Sequence, residues 1–355
     1  MRNLLITFLA AGALGNAAGI YSVVDLGGSA GSGSVGYSVN ASGVAAGWAM
    51  SGSGNNHAIT SGGSSHDLNP SGASESYAYG INSSGQVTGT GYFGGQAHGW
   101  ILSGSNLFDL GANTFGLAIN DAGVVAGGNG HAFTDANGAI HDFGTLAGGS
   151  WSAAYSINSA GQVAGYGDIA NGVFRAFVSN ANGGLRALGT LGGLNSYAAG
   201  INDQGQVVGH AGKASGFEDA FLWSAGGGMV DLGTLGGTGS YAYDINNHGD
   251  IVGYSWLSSG PDSHAFLYRN GVLYDLNSLI PANSGWELLS AFGINDAGQI
   301  VGDGMYQGQQ HAFRLDAATQ ILAEAAVPEP ATMGLIGISL TALWVGLKRR
   351  GSRNP

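Results

Sequence analysis

Between residues 20 and 320 the apolar positions keep no helical period. Short runs of β-branched and aromatic residues alternate instead with small and polar ones, the pattern of half-buried strands. Ser240-Tyr241-Ala242-Tyr243-Asp244-Ile245-Asn246 and Asp250-Ile251-Val252-Gly253-Tyr254 are typical pairs. Between them lies Asn-x-x-Gly, a tight turn in which Asn bonds a backbone amide two residues on and Gly takes the left-handed conformation. Asp219-Ala220-Phe221-Leu222-Trp223 reads as a third strand, and Met229-Val230-Asp231-Leu232 as a fourth after a Gly-rich turn.

The pattern repeats. Ile-Asn-x-x-Gly-x-Val-x-Gly or a close variant recurs seven times, beginning at Val39-Asn40, Ile81-Asn82, Ile119-Asn120, Ile157-Asn158, Ile201-Asn202, Ile245-Asn246 and Ile294-Asn295. The intervals are 42, 38, 38, 44, 44 and 49 residues. A second marker follows each copy, as His57-Ala58-Ile59, His98-Gly99-Trp100, His131-Ala132-Phe133, Arg175-Ala176-Phe177, Asp219-Ala220-Phe221, His264-Ala265-Phe266 and His311-Ala312-Phe313. An Asp-Leu-Gly or its variant precedes each copy, from Asp25-Leu26-Gly27 to Asp275-Leu276. Four short strands in about 42 residues is the arithmetic of a propeller blade, so the chain is predicted to be all-β, a seven-bladed β-propeller. The strand from Tyr21 to Leu26 matches the fourth strand of a unit, whereas the last unit has only the weak Gln320-Ile321-Leu322 in that place. The N-terminal strand is therefore expected to complete the sheet begun by residues 290–315, removing the open edges of an unclosed array. An open β-solenoid is the alternative.

These units resemble the bacterial extracellular family of HAF repeats, named for the His-Ala-Phe tripeptide, over nearly the whole chain between its two ends. The resemblance implies an extracellular protein and says little about activity, because that family is defined by its repeat.

Composition adds four constraints. Of 355 residues 68 are Gly, spread without a Gly-X-Y period and with only 6 Pro, which excludes collagen. The apolar fraction of 44% is too high for a disordered chain. No residue is Cys, which removes disulfides, thiolate metal sites and thiol catalysis together. All 22 acids lie within residues 19–330, against five bases there: Arg175, Arg186, Lys213, Arg269 and Arg314. Such an acidic surface argues against nucleic acid or an anionic membrane as partner.

The two ends read as delivery signals. Arg2, the apolar run from Leu4 to Leu14 and the small residues Gly15-Asn16-Ala17-Ala18-Gly19 have the three parts of a secretory signal peptide. At the other end Val327-Pro328-Glu329-Pro330 precedes an apolar stretch, Met333 to Leu347, and the basic cluster Lys348, Arg349 and Arg350. That stretch makes a helix of about 22–25 Å, at the short limit for a membrane span. The basic cluster places the C-terminus on the cytoplasmic side. This arrangement resembles the bacterial PEP-CTERM sorting signal. The resemblance implies that exosortase, a membrane transpeptidase-like enzyme, recognises Pro328-Glu329-Pro330 and removes the tail. A permanent single-pass anchor is the alternative.

Candidate chemistry is sparse. Gly31-Gly33-Gly36 and Gly89-Gly91-Gly94 match Gly-x-Gly-x-x-Gly, but neither precedes the helix that phosphate binding requires. Gly27-x-Ser29-x-Gly31 matches a nucleophile elbow without the strand-to-helix context. His57, His98, His131, His264 and His311 share one repeat position, yet Arg175 and Asp219 occupy it elsewhere, so a structural polar pairing is expected rather than a metal site. The repeated aspartates are expected to cap turns, since no closely spaced calcium-loop set occurs. Specific chemistry should sit where the repeat is broken. Trp151, Trp256 and Trp286, read as lying in connections, are the candidates for stacking on sugars.

Residues 1–18 are thus expected to be a signal peptide, 19–323 the propeller, and 324–355 a sorting tail with a transmembrane helix at 333–347. The expected protein is exported and non-catalytic, a cell-surface or extracellular-matrix component of a Gram-negative bacterium. Its expected partners are exosortase and extracellular polysaccharide, with no cofactor and no metal. The precursor touches the inner membrane only through its tail, and the mature form lies at the surface or outside. The alternatives are a carbohydrate-binding propeller and, less favoured, a propeller glycan hydrolase.

Overall fold

The computed structural model describes residues 20–27, 33–180, 182–260 and 262–317. The expected signal peptide, Gln320-Ile321-Leu322, the Pro-Glu-Pro motif and the expected transmembrane helix lie outside the described residues. Among the described residues, 28 strands form seven four-stranded sheets. Their pairings are antiparallel, as in Val35↔Trp48 and Trp48↔Ala58. This is the seven-bladed propeller. Among the described residues its helical content is two three-residue 3-10 turns, Ala170–Gly172 and Leu276–Ser278. No helix among the described residues is long and apolar enough to cross a membrane.

Blade one runs outward through Ser34–Val39, Ala45–Met50, Asn56–Ser61 and Ser65–Asp67. The first strands of successive blades touch one another, and Ser34–Val39 also touches Trp286–Ile294 of blade seven, so these seven strands line the axis. The N-terminal strand Tyr21–Asp25 pairs with the third strand of blade seven, from Tyr21↔Ala317 to Asp25↔Phe313. That contact closes the ring and excludes the solenoid.

The repeated motif explains the closure. Asn40 starts the turn between the first two strands of its blade, and its Oδ1 accepts from the amides of Ser42 and Val44. The Asn Nδ2 is left pointing at the next blade. There it donates to the carbonyl of Asn82, which donates to Asn120, then Asn158, Asn202, Asn246, Asn295 and back to Asn40. All seven bonds measure 2.8–3.2 Å, and every one of these side chains is buried. The two motif glycines answer different demands. Gly161 sits at φ +79°, a left-handed conformation costly for other residues. Gly165 lies so close to the neighbouring strand that a Cβ would stand 2.0 Å from the Ala153 carbonyl oxygen.

A second inter-blade tie uses the His-Ala-Phe segment. The amide of Ala176 donates to Ser196 Oγ of the next blade at 3.0 Å, and that hydroxyl donates to the Gly189 carbonyl. Ser34 Oγ likewise accepts from the Ala312 amide across the closing junction. The third residue of the tripeptide, such as Phe177, Phe221, Phe266 or Phe313, has no exposed surface and fills the space between blades. Leu26 joins Val39 and Ala45 of blade one to Val301 and Ala312 of blade seven in one buried cluster.

Replacing Asn158 by Asp removes the donor and buries a carboxylate facing the Asn202 carbonyl. The expected loss is about 2–4 kcal/mol in urea denaturation; an unchanged midpoint would show that the belt carries no stability. Gly161→Ala is expected to cost about 1–2 kcal/mol, whereas Gly165→Ala should cost more than about 4 kcal/mol or prevent folding.

Candidate functional site

The site grows out of one irregularity that every blade shares. In each first strand the pairing slips by one residue, as between Gly36 and Ser38 or between Ala242 and Asp244. The residue left unpaired stands three positions before the belt Asn. It is Tyr37, Tyr79, Leu117, Tyr155, Ala199, Tyr243 and Phe292 in blades one to seven. A β-bulge of this kind re-aims one side chain, and here it turns seven of them into the axial channel. All seven line one cavity of about 510 Å³.

The seven are not equivalent. Tyr79, Tyr37, Phe292 and Tyr243 form a continuous arc, with ring centroids 5.3, 5.5 and 4.8 Å apart. Leu117 and Ala199 interrupt the ring on either side of Tyr155. Blade three opens the wall further, because its second strand, Val125–Gly128, is shorter than its counterparts and returns through Asn129-Gly130. Gly128, Gly130, Phe115, Trp151 and Ala153 line the cavity there. No charged side chain among the described residues lines it.

Burial pushes the phenols of Tyr79, Tyr155 and Tyr243 well above the ordinary tyrosine range, so they remain neutral hydroxyls. Tyr155 and Tyr166 share a hydroxyl–hydroxyl bond of 2.9 Å, and Tyr37 accepts from Trp48 Nε1 at 3.2 Å. Tyr79 lines the cavity with its ring 5.3 Å from that of Tyr37. Beside the phenols a second set of rings packs between blades. His210 stacks between Tyr197 and Tyr241, with centroids 4.7 and 3.9 Å away, and burial draws its pKa down to about 4. Trp48, Tyr166 and Tyr254 occupy the same strand position as His210, whereas blade seven places the buried Asp303 there. Burial raises the Asp303 carboxyl above the usual carboxylate range, against hydrogen bonds from Gln310 and Ser290.

Of the three tryptophans singled out from the sequence, only Trp151 lines this cavity. It lies in the connection before Ser152–Ile157, as expected. Trp256 instead belongs to the strand Ile251–Leu257, edge-on to Tyr241 and Tyr254. Trp286 opens the inner strand of blade seven and stacks on Tyr306 at 4.8 Å. The reading of these two as connection residues is corrected: both sit at strand ends, where aromatic residues pack against the neighbouring strand. The cavity tyrosines were missed because they are repeat positions, although Tyr-x-Val/Ile-Asn is visible at Tyr37, Tyr79, Tyr155 and Tyr243.

The repeated histidines and aspartates pair as expected. His57 meets Asp67, His98 meets Asp109, His131 meets Asp142, His264 meets Asp275 and His311 meets Asp25, at 2.7–3.0 Å. Each aspartate also caps its turn, as Asp142 does by accepting from the Gly144 amide at 2.7 Å. In blade five Lys213 bridges Asp219 and Asp231 instead. No group of three or more acidic or histidine side chains able to hold a metal occurs among the described residues. At the belt end a separate cavity of about 270 Å³ is ringed by the seven Asn turns. Its carboxylates Asp121, Asp203 and Asp296 accept from the amides of Ser83, Ser159 and Asn247 and are thereby committed to the turns.

Residues 326–350 match the PEP-CTERM protein-sorting motif. The tail carries a PEP-CTERM signal. Such a signal implies export and handling by exosortase. No curated protein matches the chain. Among solved structures, a puromycin-hydrolyzing peptidase from Mycobacterium tuberculosis is 13% identical, with a TM-score of 0.52 over 82% of this chain and 52% of that one. A gluconolactonase from Xanthomonas campestris is 12% identical, with a TM-score of 0.42 over 85% and 92%. TolB from Acinetobacter baumannii is 10% identical, with a TM-score of 0.39 over 62% and 59%. The chain thus spans about half the length of the peptidase, and at this identity the likeness is one of fold alone.

One carboxylate beside the belt is open to a direct test. Asp244 accepts from the amides of Ile245 and, across the blade boundary, Ile294, and burial lifts its pKa from 3.8 to about 7. The folded state therefore keeps a proton that the unfolded chain releases between about pH 4 and 7, and stability from this residue falls as pH rises through that window. Ser156 holds the same position in blade four and accepts from Ile201 in the same way. Asp244→Ser is accordingly expected to gain about 2–4 kcal/mol relative to wild type between pH 4 and 8. Urea denaturation at several pH values would refute this if the difference between the two proteins stayed constant.

Proposed function

We propose that the protein is exported by an N-terminal signal spanning residues 1–18, held briefly in the inner membrane by residues 333–347, and released or re-anchored by exosortase at the tail. In this reading 19–323 is the working propeller, 324–355 is the sorting tail, and the seven units belong with the HAF repeats. The mature protein is a non-catalytic component of the cell surface or extracellular matrix. The single observation that carries the export reading is the PEP-CTERM match at 326–350. Val327, Pro328, Glu329 and Pro330 present the motif to exosortase, and Lys348, Arg349 and Arg350 hold the C-terminus in the cytoplasm.

A second reading has its own support: the propeller binds carbohydrate. Trp151 stands at the edge of a cavity lined by aromatic faces and neutral hydroxyls, a surface that suits the apolar faces and hydroxyl rims of sugar rings. Trp256 and Trp286 serve as packing for the walls in this reading. The absence of any charged side chain from the cavity lining favours binding over hydrolysis, which calls for a general acid at the scissile bond.

Mass spectrometry of the protein recovered from the envelope and medium of the producing cells tests the sorting. The expected mass lacks Met333–Leu347 and the basic cluster, and deletion of the exosortase gene restores them. A tail retained in producing cells with exosortase present would overturn it. For the second reading, a glycan array probed with the full chain is expected to show binding without cleavage. An empty array would remove that reading and leave the export reading intact.

A further inference from the structure

We propose that the axial cavity is the ligand site of the propeller, and that it takes an uncharged sugar ring entering over the shortened second strand of blade three. This rests on the carbohydrate reading and narrows it to one place and one chemistry.

Four observations converge. First, the cavity is built rather than incidental: the same bulge in all seven inner strands delivers its lining, and its volume of about 510 Å³ falls within the range of roughly 300–1,000 Å³ common to small-molecule sites. Second, the lining is eccentric. The arc Tyr79–Tyr37–Phe292–Tyr243 closes one side, while Ala199 leaves an unfilled place between Tyr155 and Tyr243 where five other blades supply an aromatic ring. A flat ligand edge fits there without displacing a side chain. Third, side-chain polarity is confined to phenol hydroxyls kept neutral by burial and the Trp151 indole N–H, and Tyr79 supplies one of those hydroxyls. Hydroxyl groups of a ligand match such donors and acceptors, whereas a carboxylate or sulfate would be desolvated with no opposite charge to meet it. Fourth, the approach is open where Val125–Gly128 stops short, and Trp151 and the exposed Phe115 flank that opening.

Ala199 then sets the specificity, as the small residue that keeps the slot open. Ala199→Tyr introduces the side chain that blades one, two, four and six carry at this position, so the fold already accommodates it. Tyr79→Phe removes one hydroxyl while preserving the wall.

The test uses the full chain and its variants, each first checked for wild-type thermal unfolding. Binding of neutral and acidic oligosaccharides is followed by array and by intrinsic fluorescence, with tetramethylammonium as a cationic probe. Neutral sugars are expected to bind and to quench fluorescence, and Trp151→Phe is expected to remove most of that change. Ala199→Tyr should weaken binding at least about tenfold and Tyr79→Phe about three- to tenfold. Sugar binding indifferent to Ala199→Tyr would overturn the site while sparing the carbohydrate reading. Preference for acidic sugars, or binding of tetramethylammonium in place of sugar, would overturn the ligand chemistry, since an aromatic cage can also hold a cation. An array on which no glycan binds would overturn both.

Discussion

Seven buried asparagines hold the ring. Each spends its carbonyl oxygen on its own turn and its amide on the next blade, and the last donates back to the first across 255 residues. A buried amide with an unmet donor costs more than the bond itself contributes, so each blade is complete only when its neighbour is in place. The geometry also demands a fixed rotation from blade to blade, which makes the belt a device that counts to seven. The N-terminal strand is the complementary lock at the outer edge, where it supplies the strand that the last blade's own sequence does not.

The belt also decides where the channel side chains go. The turn it fixes lies one residue beyond a buried Val or Ile, and the bulge sits two residues before that. The extra residue has no place in the ladder, so its side chain is driven toward the axis. A symmetric scaffold in this way makes seven positions available for chemistry without altering the hydrogen bonding around them. The differences that matter are then small: Ala199 and Leu117 in place of aromatic rings on either side of Tyr155, Asp303 where four other blades carry a ring, and a second strand in blade three that ends early. Symmetry supplies the repeated bonds, and departures from it shape the cavity.

Much of the architecture was legible because each repeat element answers a local demand. The first motif glycine marks a left-handed turn, the paired His and Asp mark neighbouring strands, and the missing final Asp-Leu marks the place that the N-terminal strand fills. The aspartate caps were legible for the same reason, being bonds to an amide two residues away. The cavity was not. Tyr37, Tyr79, Tyr155 and Tyr243 look like ordinary strand residues, and the bulge that turns them inward is a mismatch between two strands that neither strand announces alone. The rule that function sits where the repeat breaks pointed to three tryptophans, of which Trp151 lines the cavity. It looked for unusual residues between repeats, while the break in the cavity's ring of aromatics is a small residue, Ala199, at a repeat position.

The chain by itself therefore determined the number of blades, the strands in each, the closure and the sorting signal at the end. The blades and their strands rest on contacts between residues close in sequence and on repetition of a unit, the closure on a fourth strand offered at one end and missing at the other, and the signal on its own motif. Only the tertiary structure decided which side chains meet at the axis and which of the aromatic residues are walls. The physical reason is that seven residues separated by some forty positions each become neighbours only after the ring closes. Their mutual distances are a property of the circle and not of any unit in it.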